Sequence, residues 1–533
     1  MSRKRKIKKK KYGELRVAKN WKKGLISVLF SRLGIILIML IFQFLILFGI
    51  WLVFGDLVGR YYLDERMLFE IIVILLLYNS PMDSSAKLSW MLLISFAPFF
   101  GSVFYVWTQI EVGHRRIKRD LSNITVRSSG YFSQDENTVM DMEKASEDSY
   151  ALCRYLSKTG HFPSYENTSV EYFSFGDQKF PRMLEEIDKA KKFIFLEYFI
   201  IEEGEMWGKI LELLAEKAKA GVDVRVMYDG SCVFSTLPYN YPERLERIGI
   251  KCRMWEPIKP VITSSYNYRD HRKILVVDGK TAFCGGVNLA DEYINVIDRF
   301  GKWKDTAVML KGPAVDSLTL MFLQMWNVCR KNTETDDFSQ YLELYDRNIH
   351  SQGFVVPYGD SPLNDHKIAE RVYTDIINKA KDYVYITTPY LILDDNMISS
   401  LRYAAERGVD VRIILPGIPD KKAIWALSKS YYRILMDAGV RIYEYTPGFI
   451  HAKVFLSDDV KAVVGTINLD YRSLYHHFEC AVYMHGVKCI GEIKKDLIDT
   501  FSRCRLIESK TIYSGKPYLS ITGTVLKLVA PLM

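Results

Sequence analysis

HRKILVVDGKTAFCGGVN, residues 271–288, is the stretch around which this sequence is organised, because it recurs as HAKVFLSDDVKAVVGTIN, residues 451–468. Both copies space a histidine, a lysine and an aspartate as H-x-K-x4-D, and they end in G-G-x-N and G-T-x-N. The chain has nine histidines, and chance would give it roughly a few hundredths of one such match. The recurrence therefore indicates a duplicated unit.

The duplication extends beyond the motif. Matching segments include Gly176-Asp177 and Gly359-Asp360, Lys189-Ala190-Lys191 and Lys379-Ala380-Lys381, and AGVDVRVMYDG (220–230) and RGVDVRIILPG (407–417). Helical stretches alternate with short strand-like runs; residues 207–220, for example, predict a helix and 222–228 a strand. Such alternation is typical of a largely parallel sheet covered by helices. We therefore predict an α/β fold with two halves, 166–335 and 353–533, related by a pseudo-twofold axis and joined by a polar linker at 336–352.

Each motif offers an imidazole and an ammonium group on one face of a strand. His271 and Lys273 are two residues apart, as are His451 and Lys453, and alternate residues of a strand point to the same side. This combination suits a phosphodiester, in which negative charge builds on a pentavalent phosphorus. Two histidines can divide the roles of nucleophile and acid if one is neutral and the other protonated near pH 7.

The other motif residues have separate predicted roles. The amides of Asn288 and Asn468 can hold the non-bridging phosphate oxygens together with the lysines. Asp278 and Asp458 each follow an apolar strand at a turn, so we expect these two members of the catalytic motif to shape the turn rather than touch substrate. No acidic cluster of the kind that magnesium prefers lies near either motif, and no metal or cofactor is predicted.

The basic charge of the chain is concentrated at its amino-terminal end. Residues 1–32 carry thirteen Lys and Arg against one acid, Glu14; this arm is therefore +12, while the chain totals +9 and its remainder sums to −3. A nucleic-acid enzyme more often spreads basic residues over its body, so no nucleic-acid partner is predicted. A polybasic run beside an apolar segment indicates that the arm binds the anionic cytoplasmic leaflet of the membrane. The alternative is that the run only sets the membrane topology.

The apolar region 33–110 predicts a membrane anchor. Residues 33–55 and 88–108 carry no charge, and each stretch is long enough for a membrane-spanning helix. The shorter run 67–78 includes an acid and favours an interfacial or re-entrant helix. Basic residues flank both long stretches, and the positive-inside rule then predicts two crossings with the juxtamembrane connector, 111–165, in the cytoplasm. We expect a multi-pass protein of the cell membrane with a cytoplasmic catalytic body.

The paired motifs resemble the HKD motifs of the phospholipase D superfamily, which meet in one active site. The resemblance implies that one histidine forms a covalent phosphohistidine, while the other protonates the leaving group and then deprotonates the incoming alcohol. In the usual family order His271 is the nucleophile and His451 the acid and base, although near-symmetry leaves the reverse assignment open. Asp305 in GKWKDT and Glu479 in HHFEC match acidic positions that orient these imidazoles in relatives.

The order of segments also resembles bacterial cardiolipin synthases of the phospholipase D type. The resemblance covers most of residues 60–533 and rests on PMDSSAKLSWMLL, GGVNLADEY, GKWKDT, ITTPYLILDD and NLDYRSLYHHFE. It implies that one phosphatidylglycerol donates its phosphatidyl group and a second accepts it, giving cardiolipin and glycerol. The alternatives are a phospholipase D or a phosphatidylserine-forming enzyme, followed by an HKD nuclease and an inactive membrane scaffold. His476 and His477 stand beside Glu479 in the last of these segments. The sequence does not decide whether they line the pocket, belong to the core or face solvent.

Overall fold

The structure is a computed structural model of the full chain. It describes residues 63–109, 112–132, 134–256, 268–329, 336–364, 366–513 and 517–532, together with six helical positions between 41 and 53. The basic arm and most of the span predicted at 33–55 lie outside these residues. Among the helices in the described ranges, none is both long and apolar enough to cross a membrane.

Three helices occupy residues 63–109 of the predicted membrane region. They are α1 (Leu63–Tyr78), α2 (Ser84–Phe96) and α3 (Pro98–Gln109). The prediction of one continuous helix over 88–108 is wrong, because α2 ends at Phe96 and the chain leaves helical geometry at Ala97. Pro98 has no N–H to continue the hydrogen-bond ladder, but it is well suited to start a new helix. Helix α1 covers the run predicted to be interfacial or re-entrant.

The connector leads through three helices and a π-helical turn (Leu156–Gly160) into the first half of the fold. The helices are α4 (Val112–Ser129), α5 (Glu136–Ala145) and α6 (Glu147–Tyr155). The first half then contains β1 (Ser169–Phe173), α7 (Gly176–Asp188), β2 (Phe193–Tyr198), α8 (Glu205–Lys219), β3 (Asp223–Asp229), α9 (Cys232–Ser235), α10 (Tyr241–Glu246), β4 (Lys251–Trp255), β5 (Arg269–Asp270), β6 (Lys273–Val277), β7 (Thr281–Gly285), β8 (Ala307–Lys311) and α11 (Val315–Val328). Seven of these strands form one sheet in the order β1-β8-β7-β6-β2-β3-β4.

The second half repeats this arrangement. It contains β9 (Phe354–Asp360), α12 (Ile368–Lys379), β10 (Tyr383–Thr387), α13 (Asp395–Glu406), β11 (Asp410–Pro416), α14 (Lys422–Lys429), α15 (Tyr432–Met436), β12 (Arg441–Tyr445), β13 (Val454–Ser457), β14 (Lys461–Gly465), β15 (His477–His485), α16 (Ile490–Ser502), β16 (Cys504–Leu506) and α17 (Pro517–Lys527). Seven of its strands follow the order β9-β15-β14-β13-β10-β11-β12, which matches that of the first sheet, and β16 pairs with the outer side of β12. The predicted α/β fold of two related halves is therefore confirmed.

Both sheets are mixed rather than largely parallel. Strands β2, β3 and β4 run parallel, as do β10, β11 and β12. The motif strands instead form antiparallel ladders, because β6 and β7, and likewise β13 and β14, are joined by a short turn at the motif aspartate. Helix–strand alternation in the sequence predicted the parallel part of each half and missed these hairpins.

The two halves meet along their motif segments. Strand β5, which leads directly into His271, pairs with the start of β15 in the other half. A bridge between Lys304 and Ile450 makes the equivalent link before His451. Helix α11 is largely buried and packs against β2, β6 and β7 of its own half and against β9 of the other. The shared packing holds the two motifs in a fixed relation.

Candidate active site

Each motif histidine is paired with an acid from the other half. Nδ1 of His271 lies 2.9 Å from Oε1 and 3.0 Å from Oε2 of Glu479, and Nδ1 of His451 lies 2.6 Å from Oδ2 of Asp305. All four side chains are buried. Since a carboxylate accepts a proton from Nδ1–H, these contacts favour the tautomer in which Nε2 carries the free lone pair. Both imidazoles therefore present Nε2 for chemistry.

Reciprocal backbone hydrogen bonds fix these pairs in place. The N–H of His271 donates to the carbonyl of Phe478 at 2.9 Å, and the N–H of His451 donates to the carbonyl of Lys304 at 2.7 Å. Each accepting residue directly precedes the acid that holds the histidine ring. Main chain and imidazole are thus bound to the same segment of the other half, which limits independent movement of the ring.

The two motif lysines are buried beside their histidines. The ammonium of Lys273 donates to the carbonyl of His271 and lies 5.3 Å from the centre of the Phe199 ring. The ammonium of Lys453 lies 2.8 Å from Nδ1 of His451 and donates to the carbonyl of the same residue. Burial lowers the pKa of Lys273 to about 8 and that of Lys453 to about 7. An anionic ligand would favour the charged form of both groups.

Burial also lowers the pKa of both motif histidines. Together with the neighbouring Lys273 and Lys453, it holds the pKa of His271 well below its usual range. Burial and Lys453 lower the pKa of His451 to about 4, against the opposing effect of Asp305. Burial therefore favours the neutral form of both imidazoles in the free protein, so the difference in protonation that the two roles require has to arise when substrate binds. A bound phosphodiester carries negative charge, which raises the pKa of a nearby imidazole.

The two motifs face one buried space. Besides burial, the charge of Lys453 acts on His271 across the halves, and the charge of Lys273 acts on His451 in the same way. Such effects require short separations in a region of low dielectric. The structure therefore brings together the four residues that the sequence predicted as the chemical centre.

Four aromatic or imidazole rings of the described residues have their centres within 5.7 Å of a motif histidine ring. They are Phe199 at 4.8 Å and His477 at 5.4 Å from the ring of His271, and Tyr293 at 5.6 Å and Trp303 at 5.7 Å from the ring of His451. The sequence left His477 open and gave none of the other three a predicted role beside the motif histidines. No spacing pattern separates them from the many aromatic residues of the core, although Trp303 and His477 each stand two positions before a pairing acid.

The motif aspartates each hold a loop of their own half. Asp278 accepts hydrogen bonds from the three consecutive N–H groups of residues 191–193 at 2.7 to 2.9 Å. Asp458 accepts from those of residues 381–383 at 2.9 Å. Both aspartates have a φ of 53°, a left-handed conformation that Asp tolerates better than most residues. Their contacts fit the turn-shaping role expected from the sequence.

The two motif asparagines are buried in matching places but have different contacts. Asn288 accepts a hydrogen bond from the N–H of Ile200 at 3.1 Å and donates to the hydroxyl of Tyr293 at 2.7 Å. Oδ1 of Asn468 is buried without a hydrogen-bond partner among the described residues. The amide of Asn468 therefore keeps more capacity for a ligand than that of Asn288.

The ends of the motifs shape the surroundings of the pairing acids. A Cβ at Gly286 would overlap with the carboxylate of Asp305, the group that holds His451. The matching residue of the second motif is Thr466, whose hydroxyl donates to the carboxylate of Glu479. The first motif therefore leaves space for Asp305, whereas the second motif donates a hydrogen bond to Glu479.

Comparison with known proteins identifies the class of enzyme to which the chain belongs. A family profile described as "Cardiolipin synthase, PLD-like domain" matches residues 183–326 and 373–504, one segment in each half. The crossed histidine–acid pairs all lie within the matched segments. The chain is a phosphatidyltransferase of the phospholipase D type.

Relatives narrow this class to one family. The cardiolipin synthase of Halalkalibacterium halodurans is 30% identical over 450 residues, which cover 84% of this chain and 88% of the relative. That of Alkalihalophilus pseudofirmus is 31% identical over 452 residues, which cover 84% and 88%. An uncharacterised protein of Streptococcus mutans is 53% identical over 460 residues, covering 86% and 99%. The chain belongs to the cardiolipin synthase family.

A solved structure shares the fold. The crystal structure of phosphatidylserine synthase from Haemophilus influenzae has a TM-score of 0.52 and 15% sequence identity, and the match covers 68% of this chain and 93% of that one. At this identity the likeness shows the fold alone.

Replacing Gly286 by alanine should lower the turnover of phosphatidyl transfer about 100-fold, because the added methyl group displaces Asp305 and misaligns His451. Rates at saturating lipid check this prediction. Gly491→Ala is the matched control, since a Cβ there meets nothing within 4 Å and the residue lies in helix α16, where alanine is favoured. Equal turnover in the two variants would contradict the role assigned to Gly286.

Proposed function

We propose that this enzyme makes cardiolipin by transferring a phosphatidyl group from one phosphatidylglycerol to another, with release of glycerol. The crossed pairing of His271 with Glu479 and of His451 with Asp305 carries the proposal. It commits one imidazole from each half to the same buried space, so that a single phosphorus can be approached from two sides. The names of the relatives support this choice of reaction.

In the first step His271 acts as the nucleophile. Its Nε2 attacks the phosphorus of the donor lipid, a P–N bond forms, and the P–O bond to the glycerol headgroup breaks. His451, protonated once the anionic phosphodiester is bound, gives its proton to the leaving oxygen. The ammonium groups of Lys273 and Lys453 stabilise the charge that builds on the non-bridging oxygens.

In the second step the second phosphatidylglycerol replaces the histidine. One hydroxyl of its glycerol headgroup loses a proton to Nε2 of His451 and attacks the phosphorus, and the P–N bond breaks as the new P–O bond forms. The amides of Asn288 and Asn468 help to hold the phosphate oxygens through both steps. One phosphodiester replaces another, so the reaction balances without a nucleotide or a redox partner.

Transfer exceeds hydrolysis only if water is kept from the covalent intermediate. His271 is 6% exposed and His451 8% exposed, and the rings of Phe199 and Tyr293 lie against them. A buried site that holds a second lipid close favours its hydroxyl over water.

An assay with defined lipids tests the proposed function. Full-length protein in detergent, given phosphatidylglycerol alone, should release glycerol and cardiolipin in equal amounts. Phosphatidic acid as the main product would replace the transferase with a phospholipase D. Phosphatidylserine formed in preference to cardiolipin when serine is added, or cleavage of oligonucleotides, would likewise overturn the proposal.

The value of kcat/KM should fall as the pH rises through about 7 to 8. Burial lowers the pKa of Lys453 to about 7 and that of Lys273 to about 8; the charged ammonium groups are present below these values and lost above them. Initial rates across the neutral and alkaline range measure the effect. Lys280→Met, which removes an exposed lysine, should leave the profile unchanged. A profile that stays flat until ordinary lysines titrate near about pH 10 would contradict the prediction.

We further propose that the enzyme is a multi-pass protein of the cell membrane with its catalytic body in the cytoplasm and its basic arm against anionic lipid. Helix α1 exposes a row of apolar side chains, including Met67, Leu68, Leu75 and Leu76. The carboxyl-terminal segment exposes Ile521 and Val525 and is joined to α2 by a hydrogen bond of 2.6 Å from Ser89 to the carbonyl of Leu528. Apolar surface of this extent on neighbouring helices supports contact with a bilayer.

A dye on Ile521→Cys should be quenched by lipid-borne quenchers when the full-length protein is reconstituted in liposomes. The reason is that Ile521 projects from the apolar face proposed to enter the bilayer. Tyr239→Cys, at an exposed position of the catalytic body, is the control and should be quenched several-fold less. Equal quenching at the two positions would contradict the proposed membrane face.

A further inference from the structure

His477 is a buried histidine that the proposed mechanism leaves unused. It is 8% exposed, and its ring centre lies 5.4 Å from that of His271. Neither of its ring nitrogens has a hydrogen-bond partner among the described residues. Oε1 of Glu479 lies 3.6 Å from Nδ1, beyond normal hydrogen-bond length. Unpaired buried nitrogens are uncommon and point to a ligand.

His271, His477 and Glu479 together form a ligand set for a small cation. One ligand atom from each lies within 4.8 Å of the others, and all three side chains are buried. Two of the separations to Oε1 of Glu479, 2.9 Å from His271 and 3.6 Å from His477, bracket the roughly 3.4 Å that tetrahedral zinc bonds of about 2.1 Å require. Two imidazoles and one carboxylate favour Zn²⁺ and similar transition metals over Mg²⁺.

We propose that His271, His477 and Glu479 bind Zn²⁺, or a similar transition-metal ion, and that the bound ion inhibits phosphatidyl transfer. The inhibition rests on the proposed function, because it requires His271 to be the nucleophile. The binding of the ion does not depend on that function.

Occupancy of the site removes the nucleophile by changing its tautomer. An ion bound to Nδ1 of His271 replaces the hydrogen bond to Glu479 and shifts the ring proton to Nε2. Nε2 then has no lone pair with which to attack phosphorus. The change needs no oxidant or reductant, and it is reversed when the ion leaves.

The matching position beside the second motif histidine cannot hold an ion. Trp303 stands two residues before Asp305, as His477 stands two residues before Glu479, and its ring lies 5.7 Å from that of His451. An indole offers an N–H donor and no ligand lone pair. The site therefore exists on the side of His271 alone, and zinc should block formation of the covalent intermediate.

Two nearby cations limit the affinity of the site. Lys273 and Lys453 repel a metal ion when they are charged, and the same ammonium groups attract the phosphodiester. Zinc binding should therefore be weaker than at a structural zinc site. This limited affinity makes the site suited to reversible inhibition.

Zinc titrations of the full-length protein in detergent, stripped of metal by a chelator, test the proposal. Buffered Zn²⁺ should bind and inhibit, whereas Mg²⁺ should do neither. In His477→Asn the dissociation constant for zinc should rise at least about tenfold, and inhibition should weaken by the same factor relative to the zinc-free rate of that variant. His476→Asn is the matched control, because the neighbouring ring is directed to the backbone of Pro531 and should leave zinc binding unchanged.

A spectrum of the bound metal ion tests the ion site independently of the catalytic proposal, because it does not require enzyme activity. Co²⁺ in place of zinc should give the strong visible bands of a tetrahedral site, lost in His477→Asn and kept in His476→Asn. Equal metal affinity in the two variants, or zinc inhibition that persists in His477→Asn, would overturn the proposal. If the enzyme transferred no phosphatidyl group, the proposed function would fail while the Co²⁺ spectrum still decided the ion site.

Discussion

Replacing His271 by alanine should lower the rate of phosphatidyl transfer at least about 10⁴-fold. The side chain supplies the Nε2 that forms the P–N bond, and no other described nitrogen is held by Glu479 in the same way. Formation of cardiolipin and release of glycerol should fall together, because both follow from the same first step. Product formation from labelled phosphatidylglycerol measures the loss.

The experiment must distinguish loss of the nucleophile from loss of the folded state in His271→Ala. His366→Ala, at an exposed position, is the control and should keep its rate. The circular dichroism and thermal unfolding of His271→Ala should show a folded protein. A variant that is folded and retains more than about a hundredth of the activity would exclude His271 as the nucleophile.

Replacing Glu479 by glutamine should lower kcat by about 10³- to 10⁴-fold. The carboxylate accepts hydrogen bonds from Nδ1 of His271 and from the hydroxyl of Thr466, whereas an amide offers one accepting oxygen. If the amide nitrogen faces the imidazole, the ring proton moves to Nε2 and the nucleophile is lost. The effect should therefore fall mainly on kcat, with little change in KM.

Asp360→Asn is the matched control for this change. Asp360 is the cross-strand neighbour of Glu479 and is also buried. Its two oxygens accept from the N–H groups of Ser361 and Ala369 at 2.8 Å. Asparagine keeps only one of these bonds, but neither bond involves a motif histidine, so the loss should fall on stability and the rate should stay within about threefold. Equal losses in the two variants would mean that buried charge, rather than orientation of His271, determines the effect of Glu479→Gln.

The sequence predicted the parts of the fold that repeat and missed the parts that depend on contact between the halves. The spacing of His271 and Lys273 on a strand predicted a shared face, and the structure buries both side chains, with the ammonium of Lys273 donating to the carbonyl of His271. The crossing of the acids could not be read from spacing, because Glu479 lies far from His271 in the chain and meets it only through pairing of β5 with β15. The resemblance to relatives identified Glu479 and Asp305 without showing which histidine each would hold.

Other misses have equally specific causes. The break at Pro98 was hidden because hydropathy is insensitive to a missing backbone donor. The lowered pKa of His451 has two causes, its burial and the ammonium of Lys453, which lies 2.8 Å from its Nδ1. A sequence motif shows neither the burial of a side chain nor the distance between two side chains. The role of His477 was left open, because a histidine near an acid in the sequence can have several roles until the position of its ring is known.

Locating the covalent intermediate tests the central claim most directly, namely that one histidine from each half acts on the same phosphorus. Protein mixed with labelled phosphatidylglycerol and stopped under alkaline conditions, which preserve a phosphoramidate bond, can be digested and sequenced by mass spectrometry. The phosphatidyl group should be found on His271 and should accumulate in His451→Ala when the donor carries an activated leaving group. A label on His451 would reverse the assignment, and transfer with inversion at phosphorus and no labelled histidine would contradict the account.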